Sequence, residues 1–193
     1  MNKVTVSLMV FGFLLTISAF VLFFAYKNSD RITDEISVKN RQQEINRIIE
    51  RVDTSLSFDT VDTQTVTEEF LLPVILSSPE YPVVGVDVVI AYDPAVLEVV
   101  QFNNYDVFDQ LIGSDIQNQE GTASFSLVSG PESSGFVGTM PIADIVFKAR
   151  APGTSTVSFV YVQNNRNDTN VSVRSLPGED VLTSVTNTTI TVN

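Results

Sequence analysis

The 193-residue chain carries 11 Lys/Arg against 23 Asp/Glu, a formal net charge of -12, and it contains no Cys, His or Trp. Without Cys there is no disulfide framework, thiolate nucleophile or zinc cluster, and without His the commonest general base and transition-metal ligand are both missing. This composition argues against most hydrolase mechanisms, and the acidic balance argues against a nucleic-acid partner, whose phosphates it would repel.

In chain order, the first signal is the uncharged run VTVSLMVFGFLLTISAFVLFFAY at 4–26. Its 23 residues would span about 34 Å as a helix, enough for a bilayer core. A cleaved signal peptide competes with this reading, but its apolar region should be about 7 to 15 residues long and end at a small-x-small site. An uncleaved signal anchor over 1–27 is therefore expected. A strict count of flanking Lys and Arg would put the C-terminal side in the cytoplasm. The style of the downstream region, rich in Thr, Ser, Asn and Val, argues instead for an extracytoplasmic domain. Residues 28–53 place Ile32, Ile36, Ile45, Ile48, Ile49 and Val52 near helical spacing among charges, which reads as a polar helical stalk or linker.

From Thr54 onward the apolar period becomes two, and the acid concentrates there: residues 54–193 carry four Lys/Arg and seventeen Asp/Glu. In the run 84–93, Val84, Val86, Val88, Ile90 and Tyr92 share one face and are expected in a core, with Asp87 and Val89 on the other. Further strands are expected at 54–60, 68–78, 97–102, 122–129, 142–150, 155–162 and 184–193, separated by turn formers such as Ser78-Pro79, Gly113-Ser114 and Pro152-Gly153. Residues 103–118 and 164–170 read as loops. Pro73 should mark a sheet edge or a bulge, because proline cannot donate to a ladder. Many short strands without an amphipathic helix between them give an all-β class: an antiparallel sandwich of about nine strands, preceded by the membrane helix and stalk.

Three segments resemble the cohesin family. GVDVVIAYDPAVLEVVQF (85–102) is similar to its Tyr-Asp-Pro turn between two strands, GTASFSLVSG (121–130) to its central strand, and GTMPIADIVFKARAPGTSTVSF (138–159) to its Ala-Pro-Gly hairpin. The resemblance covers residues 54–193 and implies a jelly-roll sandwich that binds a dockerin-like protein on one sheet face, serving polysaccharide-degrading assemblies at cell surfaces. The fold is also related to a group of carbohydrate-binding modules. Carried onto this sequence, the partner-binding positions are Asp87, Val89, Ser124, Ser126, Val128 and the loop residue Glu132. Ser124 and Ser126 depart from the apolar side chains the family often offers there. Tyr92, Asp93 and Pro94 form a structural corner, with the Asp93 carboxylate expected to cap it.

No nucleophile elbow, phosphate cradle or nominated carboxylate pair is present, so no catalytic residue and no cofactor are expected. Asp106, Asp109 and Asp115 are oxygen-rich but match no calcium-loop spacing. Sequons occur at Asn167, Asn170 and Asn187. Direct polysaccharide binding usually calls for a platform of exposed aromatic rings. Tyr92 and Tyr161 are expected inward, which leaves Tyr81 and Tyr105 and makes a protein the better-supported ligand. A passive structural subunit stays open on sequence alone.

Overall fold

The computed structural model describes Phe23 and residues 37–43, 45–47, 53–61, 63–163, 165 and 167–193. The chain divides into two compact units, Met1–Glu50 and Arg51–Asn193. In the first, residues 37–43 and 45–47 are helical, and Gln42 donates to the Asn46 side chain one turn on at 3.1 Å. The expected span 4–26 lies outside the described residues apart from Phe23, and among the described residues no helix is long and apolar enough to cross a membrane.

Among its described residues the second unit is all β, with ten strands: β1 (Ser55–Phe58), β2 (Glu69–Ala91), β3 (Leu97–Asn104), β4 (Gln110–Gln117), β5 (Thr122–Val128), β6 (Phe136–Ala149), β7 (Gly153–Phe159), β8 (Asn170–Val173), β9 (Ser184–Thr186) and β10 (Thr188–Val192). β2 is the organising element. Its first part pairs with β1 and β6, and its second with β5, β7 and β8. Between them the register slips at Ser78/Val83, where Pro79 and Pro82 cannot donate to a ladder. The Ser78-Pro79 turn expected from sequence is thus a place where one strand passes between two layers. One layer runs β9-β1-β2-β6-β3; the other runs β4-β5-β2 and continues to β8 and β7, with β10 beyond β7.

Apolar alternation on both parts of β2 aims at the space between the layers. Leu72, Val74 and Leu76 are fully buried from one layer, and Val88, Ile90 and Leu127 from the other. Rings meet across the gap: Phe58 of β1 stacks on Phe159 of β7 at 4.1 Å, Phe102 of β3 lies 4.7 Å from Phe125 of β5, and Tyr92 meets Phe147 of β6 edge-on at 5.4 Å. Such pairs add specific geometry to the burial of large apolar area.

Several expectations need correction. Val84 is not a core residue: Val83 is fully buried and Val84 half-buried, because the β2–β8 register slips between Val83 and Gly85 and shifts the alternation by one. The stretch 103–118 is not one loop, since 110–117 is the strand β4. Its Gly113 does not end it but forms a bulge, with φ of +62° and a register shift between Ile112 and Asp115. Pro73 lies inside the layer rather than at its edge, paired with Asp144 of β6 beside the irregularity at Val74/Ile75, so only the bulge half of that expectation fits. The sheet is also not wholly antiparallel, because β1 and β9 run parallel.

Candidate partner-binding face

The outer surface of β8-β2-β5-β4 gathers the polar positions singled out from sequence. Register places Asp87 opposite Ser126, Val89 opposite Ser124 and Gly85 opposite Val128, with Asn170 and Ser172 of β8 on the far side of Asp87 and Gly85. On the other flank, β4 sets Ile112 beside Ser126 and Asp115 beside Ser124. Asp87, Val89, Ser124, Ser126 and Val128 are all half-buried. They alternate with the fully buried Val88 and Leu127, so the same period of two that fills the core sets this face.

Asp87 is the fixed point of the surface. The Ser126 hydroxyl donates to its Oδ1, which holds the carboxylate in place across the strand pair. Two shallow depressions meet at Asp87, one of about 180 Å³ toward Glu179 and Asp180, the other of about 200 Å³ toward Asn167 and Asp168. Glu132 stands exposed at the end of β5 in a turn secured from two sides. The Gly130 N–H donates to Asp109 Oδ2 at 2.5 Å, and Arg174 donates to the Pro131 and Gly130 carbonyls at 2.9 and 3.4 Å.

Among the described residues, charge is distributed unevenly about this face. Lys148 and Arg150 lie near Glu98, each at 3.7 Å, on the β3–β6 side of the other layer, while Arg174 serves the 130–131 turn. Asp87, Glu132, Asp168, Glu179 and Asp180 occupy the face and its rim. Burial, followed by the nearby Asp180 and Asp168 charges, raises the Tyr161 phenol above its ordinary value. Its hydroxyl donates to the Leu182 carbonyl at 2.6 Å.

The Tyr-Asp-Pro corner caps as expected: Asp93 Oδ1 accepts the Ala95 N–H at 2.9 Å and its carbonyl accepts those of Val96 and Leu97. A residue that sequence reasoning passed over completes it. Asn118, in the β4–β5 turn, accepts the Tyr92 hydroxyl at 2.6 Å and the Val99 N–H at 2.8 Å, and donates to the Val99 carbonyl at 2.9 Å. Burial, the largest influence, pushes the Tyr92 phenol up, against a smaller lowering influence of the nearby Val99 backbone. The only sequence signal for Asn118 is its place three residues before the turn Gly121.

Residues 167–170 are not the solvated loop expected there, for Asp168 and Thr169 are buried. The Thr169 hydroxyl accepts the Val89 N–H at 3.0 Å and donates to the Val89 carbonyl at 2.9 Å, standing in for a strand partner. Asp106, Asp109 and Asp115 do not gather: Asp109 caps Gly130 and Asp115 accepts from Gln117 at 2.6 Å. Among the described residues no three His, Cys, Asp or Glu side chains form a group that could hold a metal.

A family model described as cohesin domain matches residues 54–192. Solved structures show the same fold. A type I cohesin–dockerin complex from Clostridium thermocellum is 13% identical with a TM-score of 0.59, over 72% of this chain and 99% of that one. The seventh ScaB type I cohesin of Pseudobacteroides cellulosolvens is 18% identical with a TM-score of 0.54, over 72% and 92%. A non-cellulosomal cohesin from the archaeon Archaeoglobus fulgidus is 10% identical with a TM-score of 0.52, over 72% and 91%. No curated protein matches the chain.

Proposed function

The chain belongs to the cohesin family, and from that premise we propose that it is a non-catalytic module that holds a dockerin-type protein on the outer face of β8-β2-β5-β4. Residues 4–26 tether it to a membrane with residues 54–193 outside the cell, where the captured protein serves polysaccharide binding or breakdown. Asp87, Val89, Ser124, Ser126 and Val128 supply the face, and Glu132 its rim.

The observation that carries the reading is the immobilised Asp87 carboxylate at the centre of an open, half-buried sheet face. A fixed acceptor suits recognition of a donor brought by a partner surface, because little side-chain entropy is lost on contact. The acidic rim favours a basic or donor-rich partner and speeds encounter with one. Hydroxyls at Ser124 and Ser126 make the contact more polar than an apolar patch. The aromatic inventory supports protein over glycan as the direct ligand. Tyr92 is buried, Tyr161 spends its hydroxyl on Leu182, and Tyr105 bonds Asp144 of the other layer. Among the described tyrosines that leaves Tyr81, and a single ring makes no platform.

The test uses the full chain in detergent micelles, immobilised against the host's secreted proteins and, in parallel, against insoluble polysaccharide. Capture of proteins that carry a dockerin module, lost in Asp87→Ala with the fold intact, is the expected result. Retention on polysaccharide alone would overturn the reading in favour of a carbohydrate-binding module.

A further inference from the structure

One carboxylate beside the proposed face is only half served by the fold. Asp168 is 5% exposed; its Oδ2 accepts the Val162 N–H at 2.7 Å and the Asn165 amide at 3.1 Å, while Oδ1 is buried without a hydrogen-bond partner. A buried charge without a counter-charge or full hydrogen bonding is costly, and a group kept in that state points to a ligand that completes it. Asp168 lines the depression of about 200 Å³ together with Asp87, Asn167, Ser124 and Ser126. Among the described residues no Lys or Arg lines it.

We propose that this depression binds a calcium ion, with Asp168 Oδ1 and the Asp87 carboxylate as the charged ligands. The side-chain oxygens of Asn167 and Ser124, with water from the open mouth, fill out the shell. The two carboxylates balance the ion's charge, and calcium takes about six to eight oxygens in flexible geometry, which a shallow site with few acids can supply. Magnesium demands a tighter octahedron, and metals that prefer imidazole or thiolate find neither in a chain lacking His and Cys. Asp87 keeps Oδ1 on Ser126, so Oδ2 is the oxygen it turns to the ion. The site shares Asp87, Ser124 and Ser126 with the proposed partner face, but the measurement below contains no partner, so its failure leaves dockerin binding untouched.

The full chain in micelles, stripped with EDTA, is titrated with CaCl2 by calorimetry and its melting temperature followed with CaCl2 or with NaCl of equal ionic strength. One calcium per chain should bind with Kd between roughly 10⁻⁷ and 10⁻³ M, the range of sensor and extracellular sites. The melting temperature should rise with CaCl2 only. Asp168→Asn keeps an acceptor for Val162 and should weaken binding at least tenfold, as should Asp87→Asn, which serves should the first variant fail to fold. Glu80→Gln, at an exposed acid away from the depression, should bind as the parent does. The proposal is overturned by a folded parent chain that takes up no calcium, by Asp168→Asn and Asp87→Asn variants that bind undiminished, or by an equal loss in Glu80→Gln.

Discussion

Asn118→Ala removes three hydrogen bonds from one side chain and leaves the Tyr92 hydroxyl and both backbone groups of Val99 without their partner. Tyr92 is 6% exposed and Val99 2%, so the abandoned groups have little access to solvent. A buried polar group deprived of its partner costs about 1–3 kcal/mol. Asn118 itself is half-buried and its truncation admits some water, so the low end applies to each of the three groups. The expected destabilisation is about 3 kcal/mol, read as a lower midpoint in urea at unchanged slope. Tyr92→Phe, which removes one of the three bonds and leaves Asn118 on Val99, should cost about 1 kcal/mol. The double variant should fall short of the sum by about 1 kcal/mol, since the two residues share a bond. A loss below about 1 kcal/mol for Asn118→Ala, or strict additivity with Tyr92→Phe, would refute Asn118 as the tie between the β4–β5 turn and the corner.

Three further outcomes follow from the same geometry. Tyr105 donates to Asp144 at 2.6 Å, and that bond, then burial and the Asp144 charge, push its phenol up to about 12 from 10.0. Its folded pKa lies above its unfolded one, so its stabilisation is complete below pH 10 and lost as pH climbs toward 12. Absorbance titration near 295 nm should show a late tyrosinate that Asp144→Asn brings back to lower pH. Gly121 has φ of +70°, and an added Cβ would stand 2.3 Å from the Tyr92 carbonyl, so Gly121→Ala should destabilise by more than the roughly 1 kcal/mol of left-handed strain alone, measured by urea melts. Leu72 is fully buried between the layers, and Leu72→Ala should cost about 2–5 kcal/mol, measured by the same melts.

The sequence was most legible where period-two patterning coincides with a single uninterrupted ladder. Val86, Val88 and Ile90 inward with Asp87 and Val89 outward, and the Asp93 cap, all stand where alternation and turn chemistry put them. Reading failed where the ladder is irregular. A one-residue slip at Val83/Gly85 moved Val84 out of the core, and the Gly113 bulge let β4 pass for a loop. Strand β8 is only four residues long, flanked by Asn- and Pro-Gly-rich sequence that looks like solvent-exposed turn. The side chains that close the design, Asn118 across two strands and Thr169 on Val89, act over sequence separations of 19 and 80 residues, which local pattern cannot encode. For the face itself, strand phase was enough to put Asp87, Ser124 and Ser126 on one side. Their adjacency, and the hydrogen bond that fixes Asp87, required the register of β2 on β5.

Carboxyl footprinting of the full chain in micelles, with and without a dockerin-bearing protein captured from the host, addresses the partner face most directly. Carbodiimide labelling of Asp87 and Glu132 should fall in the complex, while the exposed Asp59 and Glu69 of the β1–β2 side label as before. Protection of Asp59 and Glu69 with Asp87 and Glu132 unchanged would place the partner on the opposite layer and contradict the assignment.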